Sequence, residues 1–255
     1  MGFGGRGERM AARREHFGAL CWPEQYCIRA LVGLLPRGAT PDHLTLLALT
    51  GALVAGASLI GCRLSPWFLL PFALGLIANW FGDSFDGALA RHRRCERHRA
   101  GFLIDRACDV LSFCLIILGL GLSPYLGLQA ALMLLIAYLV HAVYGLMRTV
   151  VDGVQIIGLG GIGATEGRIL IGLWACLMQL AGIDFSSFQL ASGGIYDFVG
   201  GALLLAWFAV FVRRVFGDIR RIDEVGHSAV ALRRAGQDAD ALFLVHEGDG
   251  TAFQR

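Results

Sequence analysis

Four aspartates lie within twenty-seven residues of an otherwise apolar chain, in the stretch Asp83–Asp109, DSFDGALARHRRCERHRAGFLIDRACD. Asp83 and Asp86 are three residues apart and Asp105 and Asp109 four apart, so each pair shares one face of a helix. Between the pairs runs a basic loop with Arg91, Arg93, Arg94, Arg97 and Arg99. An ionised Asp at the centre of a membrane-spanning helix costs roughly 2.5 to 3.5 kcal/mol on insertion scales, so four of them point to a cation, a substrate or a water-filled cavity that offsets the cost. If one helix ends near Arg91 and the next starts near Gly101, Asp83 and Asp109 lie roughly 12 Å from the turn and Asp86 and Asp105 roughly 6 to 8 Å, at about 1.5 Å per residue. Both pairs then sit at matching depth on antiparallel neighbours. Hard oxygen ligands in this number suit Mg²⁺, Mn²⁺ or Ca²⁺ rather than zinc, which usually takes His or Cys. Gly87 and Ala90 leave room for a ligand near the backbone, and Arg91 offers a planar fork for phosphate. Together these residues suggest a site for a metal and a diphosphate. The competing structural account is a hairpin in which the aspartates merely neutralise the loop arginines, and it explains neither the register nor the small residues.

The elements that must position this stretch are apolar. Of 255 residues, 56% are hydrophobic and 16% charged, with a mean hydropathy of +0.61. Ordinary soluble domains carry roughly 25% charge, so the composition indicates a polytopic membrane protein. Apolar runs near 42–61, 66–91, 101–122, 125–148, 164–183 and 194–213 each approach the roughly 20 residues that a helix needs to cross a bilayer. The expected fold is therefore all-α, with six transmembrane helices. Trp22 to Pro36 mixes Trp22, Tyr26, Ile28, Leu31 and Leu34 with Glu24, Gln25 and Arg29, a composition that suits a helix lying in the interface plane. Thr40 and Pro41 have the pattern of a helix start, as N-cap and first helical residue. Three regions result: a cytoplasmic N-terminal segment with the interfacial helix over 1–37, a six-span catalytic domain over 38–213, and a polar tail over 214–255. Arginines crowd the N-terminal segment, the 91–99 loop and the tail, while the opposite loops carry only Arg63. The positive-inside rule then puts both termini and the aspartates on the cytoplasmic side.

Other signals exclude more than they assign. All 22 basic residues are Arg, which removes Schiff-base and lysine-nucleophile chemistry, and a net charge of +2 argues against nucleic acid as a partner. The seven cysteines form no C-x-x-C pair and fall mostly in apolar segments, where Cys acts as a small hydrophobe. No cleavable signal peptide is expected at the Gly- and Arg-rich start. Gly158 to Gly163 spells a formal G-x-G-x-x-G, but it lies between membrane helices rather than in a βαβ unit, and it is taken as a connecting loop. The next helix opens with Ala164, Thr165, Glu166, Gly167 and Arg168 on the side of the aspartates. Thr165 is a candidate cap and Glu166 complements the helix dipole, while Arg168 and Arg148 are candidates to hold an anionic acceptor or a diphosphate. His141 and Tyr144 are expected to be packed polar residues.

The order Asp83, two residues, Asp86-Gly87, two residues, Ala90-Arg91, a spacer, Gly101, three residues, Asp105, three residues, Asp109 resembles the signature of the CDP-alcohol phosphotransferase family. Its spacer of nine residues, His92 to Ala100, exceeds the seven or eight usual in that family. The entry TPDHLTLL and the helical pattern over 38–213 are also similar to the family. The resemblance implies a phospholipid-synthesis enzyme of the inner membrane with Mg²⁺ or Mn²⁺ as cofactor, two ions in number. It implies Asp83, Asp86, Asp105 and Asp109 as metal ligands, Gly87, Ala90 and Arg91 at the CDP moiety, and Asp109 also as general base. The partners would be a CDP-alcohol and an acceptor alcohol, at least one of them a lipid, and a homodimer is compatible with this. A variant within the class would act on diacylglycerol with a CDP-amino-alcohol. The alternative from another class is a cation transporter, which places acids along its whole depth, often in repeated halves.

Overall fold

The computed structural model describes residues 13–16, 21–152, 154–157, 163–184 and 205–222. Helices carry the structure: α1 (Cys21–Leu31), α2 (Pro41–Gly61), α3 (Leu69–His92), α4 (His98–Gly121), α5 (Leu128–Asp152) and α6 (Ala164–Ala181). A departure from the expected all-α fold is a four-residue parallel pairing of β1 (Arg13–His16) with β2 (Val154–Ile157). Val154, Ile156 and Ile157 are β-branched and favour such a pairing. Residues 193–255 form a separate compact unit, in which residues 205–222 are helical and Trp207 stacks on Phe211 at 5.8 Å. The glycine-rich loop apart from Gly163, the start of the expected span at 194–213 and the tail after residue 222 lie outside the described residues.

Among the described residues, three segments are long and apolar enough to cross a membrane: Pro41–Gly61, Pro66–His92 and Leu128–Val151. The charges that make α4 interesting, Asp105, Arg106 and Asp109, are also what keep it out of that set, and Glu166 and Arg168 lower the average of α6. Helix starts follow the local chemistry. Thr40 caps α2 in a reciprocal capping box with His43, with Pro41 at the first helical position, as expected. Pro71 falls in the first turn of α3, where its missing N–H leaves no intrahelical bond unmade.

Helix α2 runs between α3 and α4, and small residues let the backbones meet. A Cβ on Gly51 would stand 2.5 Å from the Asn79 nitrogen, and one on Gly75 would stand 2.7 Å from the Ala55 nitrogen. On the α4 side, a Cβ on Gly119 would stand 2.5 Å from Gly56 Cα. At one end Leu59, Phe72, Ile116, Leu120 and Tyr125 close the core. At the aspartate end Val32, Leu44, Phe85 and Leu89 pack together, with Phe81 stacked on Phe85 at 4.3 Å. Large apolar side chains point the other way: Leu53, Leu74, Ile77, Ile136 and Leu173 are each more than half exposed, while Gly51, Asn79, Asp86 and Arg168 are buried. Exposed leucines around a polar interior suit a lipid surround rather than water.

Since the α2–α3 approach depends on the missing Cβ, Gly75→Ala is expected to overpack the contact by about 1 to 3 kcal/mol. Thermal unfolding in detergent should show a fall of several degrees, whereas Gly33→Ala, whose Cβ meets nothing within 4 Å, should leave the midpoint in place. Equal midpoints for the two variants would refute this packing.

Candidate functional site

The turn between α3 and α4 is held by arginines that turn away from the aspartates. Arg93 donates to the Pro36 carbonyl at 2.7 Å, the Arg37 carbonyl at 3.2 Å and the Ala39 carbonyl, and Arg97 pairs with Asp42. These contacts tie the turn to the segment leading into α2. Arg93 and Arg97 thus serve the loop rather than the four acids. Arg94 has φ at +55°, a left-handed residue that closes the turn.

With the turn fixed, Asp83 of α3 and Asp105 and Asp109 of α4 converge, each placing one carboxylate oxygen within 4.8 Å of the others. Asp86 does not join them. Its buried carboxylate accepts from the Thr45 hydroxyl at 2.7 Å and from the Gly87 N–H at 2.5 Å, facing α2 instead. Residues three apart on a helix differ by about 60° in direction, and α2 packs against the side of α3 that carries Asp86. The four acids expected in one site are thus three together and one held apart. Around an octahedral divalent cation with oxygens at about 2.1 Å, opposite ligands stand roughly 4.2 Å apart. The three carboxylates match such an ion in donor type, and to share one their oxygens would have to close in, since adjacent ligands of that octahedron stand about 3.0 Å apart.

Arg168 enters from α6, only 4% exposed. Its Nη2 donates to Asp83 Oδ2 at 2.6 Å and its Nε to Asn79 Oδ1 at 2.7 Å, while its guanidinium lies 5.6 Å from the centre of the Phe113 ring. Asn79 in turn donates to the Ala48 carbonyl at 2.8 Å. One side chain therefore links α6 to α3 and, through Asn79 and Phe113, to α2 and α4. Its Nη1 is buried without a hydrogen-bond partner, leaving a cationic N–H to spare beside the cluster. Arg148, the other expected anion holder, is also buried. Arg91 is exposed and folds back over Gly87, where a Cβ would stand 3.3 Å from its Nη1. Gly87 and Ala90 are half-buried on the same helix. His141 contacts the Ala137 carbonyl through Nδ1 at 3.1 Å, as expected of a packed polar residue.

Several residues escaped the sequence reading. Arg106 bridges two of the acids, with Nη2 at 2.8 Å from Asp105 and Nη1 at 3.1 Å from Asp109. Glu24 of α1 accepts from Trp80 Nε1 at 2.9 Å, the Ser84 hydroxyl at 2.7 Å and the Thr165 hydroxyl at 3.0 Å. Thr165 is consequently not the cap of α6, a correction to the sequence reading: Gly163 holds that position with no side-chain cap, and the hydroxyl is spent on Glu24. Asn79 and Thr45 were likewise hidden among apolar residues, and an Asn in the middle of a span was their only mark. No protein-family model and no curated protein matches this chain.

Glu24 closes a ring of contacts: it holds Ser84 next to Asp83, and it holds Thr165, which lies one helical turn before the arginine bound to Asp83. Glu24→Ala is expected to free α1 and loosen the start of α6, raising amide exchange over residues 22–31 and 164–168. Glu24→Gln, which keeps one acceptor oxygen, should do so less. Exchange equal to wild type in the alanine variant would mean that α1 is held by other contacts.

Proposed function

We propose that this chain is a membrane-embedded, divalent-cation-dependent phosphotransferase that cleaves the diphosphate of a CDP-alcohol, passes the phosphate-bearing alcohol to a second hydroxyl and releases CMP. One observation carries the reading: eight residues in the family's order, Asp83 to Asp109, whose acids Asp83, Asp105 and Asp109 come together from two helices. Asp83, Asp105 and Asp109 would hold the cation, with Asp86 one helical turn away as the further ligand that the resemblance implies. Bound there, a divalent cation supplies positive charge that neutralises the diphosphate and eases departure of CMP. Arg91, which lies along Gly87, would bind the anionic donor, and the unpartnered N–H of Arg168 would add positive charge to the site. Asp109 takes the proton of the acceptor hydroxyl as its oxygen attacks phosphorus and the bond from phosphorus to the bridging oxygen breaks. The proton leaves through Asp109, and the bridging oxygen leaves with CMP.

The membrane reading extends the three apolar segments to six spans, adding α4, α6 and a helix across 194–213, with both termini and the aspartates cytoplasmic and the protein in the inner membrane. Arginine placement supports this orientation. Trp22 and Tyr26 on α1, 88% and 78% exposed, support an interfacial position for that helix. Exposed apolar helices beside the site favour a lipid as one substrate, either a CDP-diacylglycerol donor or a diacylglycerol acceptor. A cation transporter fits less well, since the acids occupy one end of α3 and α4 and close glycine contacts fill the helix interfaces beyond them.

Purified protein supplied with a panel of CDP-alcohols and acceptors should release CMP in Mg²⁺ or Mn²⁺ and stop in excess EDTA. Release undiminished by EDTA removes the metal, and cation flux without CMP release favours the transporter. In the same assay Asp109→Asn should lower the rate by about 10² to 10⁴ at saturating metal and substrate. Wild-type turnover in that variant would take the general base away from Asp109. Reporters fused in the 92–99 loop and after Arg213 should both read cytoplasmic, and an external signal from either overturns the orientation.

A further inference from the structure

The three clustered acids are not bare. Asp83 Oδ2 receives Arg168, while Asp105 Oδ2 and Asp109 Oδ2 share the two arms of Arg106. The two arginines are held differently. Arg168 is 4% exposed, fixed by Asn79 as well as Asp83 and backed by Phe113, so leaving would strand a buried charge. The Arg106 side chain is 30% exposed, and both of its ion pairs are to acids of the cluster itself. Its Nε is buried with no hydrogen-bond partner, a deficit that water would relieve if the side chain swung outward. A long arginine stem can follow the helix toward the interface while its head becomes hydrated.

We infer that Arg106 is the cluster's internal cation: it spans Asp105 and Asp109 when no metal is bound, and it must give up at least one of them for a divalent ion to enter. This rests on the proposed metal role of the cluster and adds to it a residue that sets how tightly metal is held. A guanidinium on two of three ligands stabilises the metal-free fold and opposes metal binding. The sign is the useful part. Removing a charged neighbour that merely supports the site weakens metal binding, whereas removing a competitor strengthens it.

The measurement is Mn²⁺ binding to the full-length protein in detergent, read from the spin resonance of free Mn²⁺, with thermal midpoints taken with and without the ion. Arg106→Gln should bind Mn²⁺ about tenfold more tightly than wild type, which corresponds to about 1.4 kcal/mol. It should unfold at a lower temperature without metal and gain more on adding it. Should the glutamine variant not fold, Arg106→Lys serves instead, since an ammonium cannot span both carboxylates and should tighten binding by a few-fold. Binding that is lost in Asp109→Asn but no tighter in either Arg106 variant overturns this inference and leaves the metal reading standing. No saturable Mn²⁺ binding in wild type or in the Arg106 variants overturns both.

Discussion

A guanidinium that is 4% exposed cannot be left without a counter-charge, and the structure around Asp83 is arranged to meet that demand. Arg168 needs an anion, and Asp83 provides it at 2.6 Å. It needs a second acceptor, and Asn79 provides its amide oxygen, which directs the amide nitrogen to the Ala48 carbonyl. Each requirement draws in another helix: α6 brings the arginine, α3 the two acceptors, α2 the carbonyl and α4 the ring of Phe113. The depth at which α6 crosses α3 is then no longer adjustable without unpairing a buried charge. Asp83 is fixed by the same bond, and so is the place where Asp105 and Asp109 must meet it.

Such a brace is possible only because the backbones come close enough for short side chains to reach. Gly51 and Gly75 between α2 and α3, and Gly56 and Gly119 between α2 and α4, remove the Cβ atoms that would hold the helices apart. In a lipid surround there is no hydrophobic gain from pressing leucines together, so close contact and interhelical polar bonds take over that role. The exposed leucines and the buried Asn, Asp and Arg belong to one design. Apolar side chains face the surround, and the polar ones are kept inside, where they can satisfy one another.

Much of this was legible in the sequence, for definable reasons. The Asp83-to-Asp109 spacing gave two helices and the meeting of three acids, because helical periodicity converts number directly into direction and height, but it did not show that α2 would run between those helices. Thr40 and Pro41 marked the start of α2 because capping is local chemistry. The Asp86–Thr45 bond was not legible, because periodicity states which face a residue takes but not which neighbour packs there, and Thr45 lies forty-one residues away. Thr165 was read as a cap for the same reason: its actual partner, Glu24, is 141 residues distant. Arg106 passed unnoticed since an arginine between two aspartates looks like ordinary charge balance until its two arms are seen on both of them.

The separation of Asp86 from the other acids also has a physical meaning. Four carboxylates drawn to one point without a cation would carry more repulsion than two arginines can offset. The structure divides the load: Arg168 takes Asp83, Arg106 takes Asp105 and Asp109, and Asp86 is set aside on a neutral hydroxyl and a backbone N–H. A hydrogen bond between a carboxylate and a hydroxyl contributes about 1.5 to 3 kcal/mol, far less than it costs to leave a buried carboxylate without a partner. The Thr45 bond thus gives a buried carboxylate the partner it would otherwise lack. The same reasoning separates the two arginines. The one bound into the helix packing is held by Asn79, Asp83 and Phe113 together, and the one at the cluster is held by its two acids.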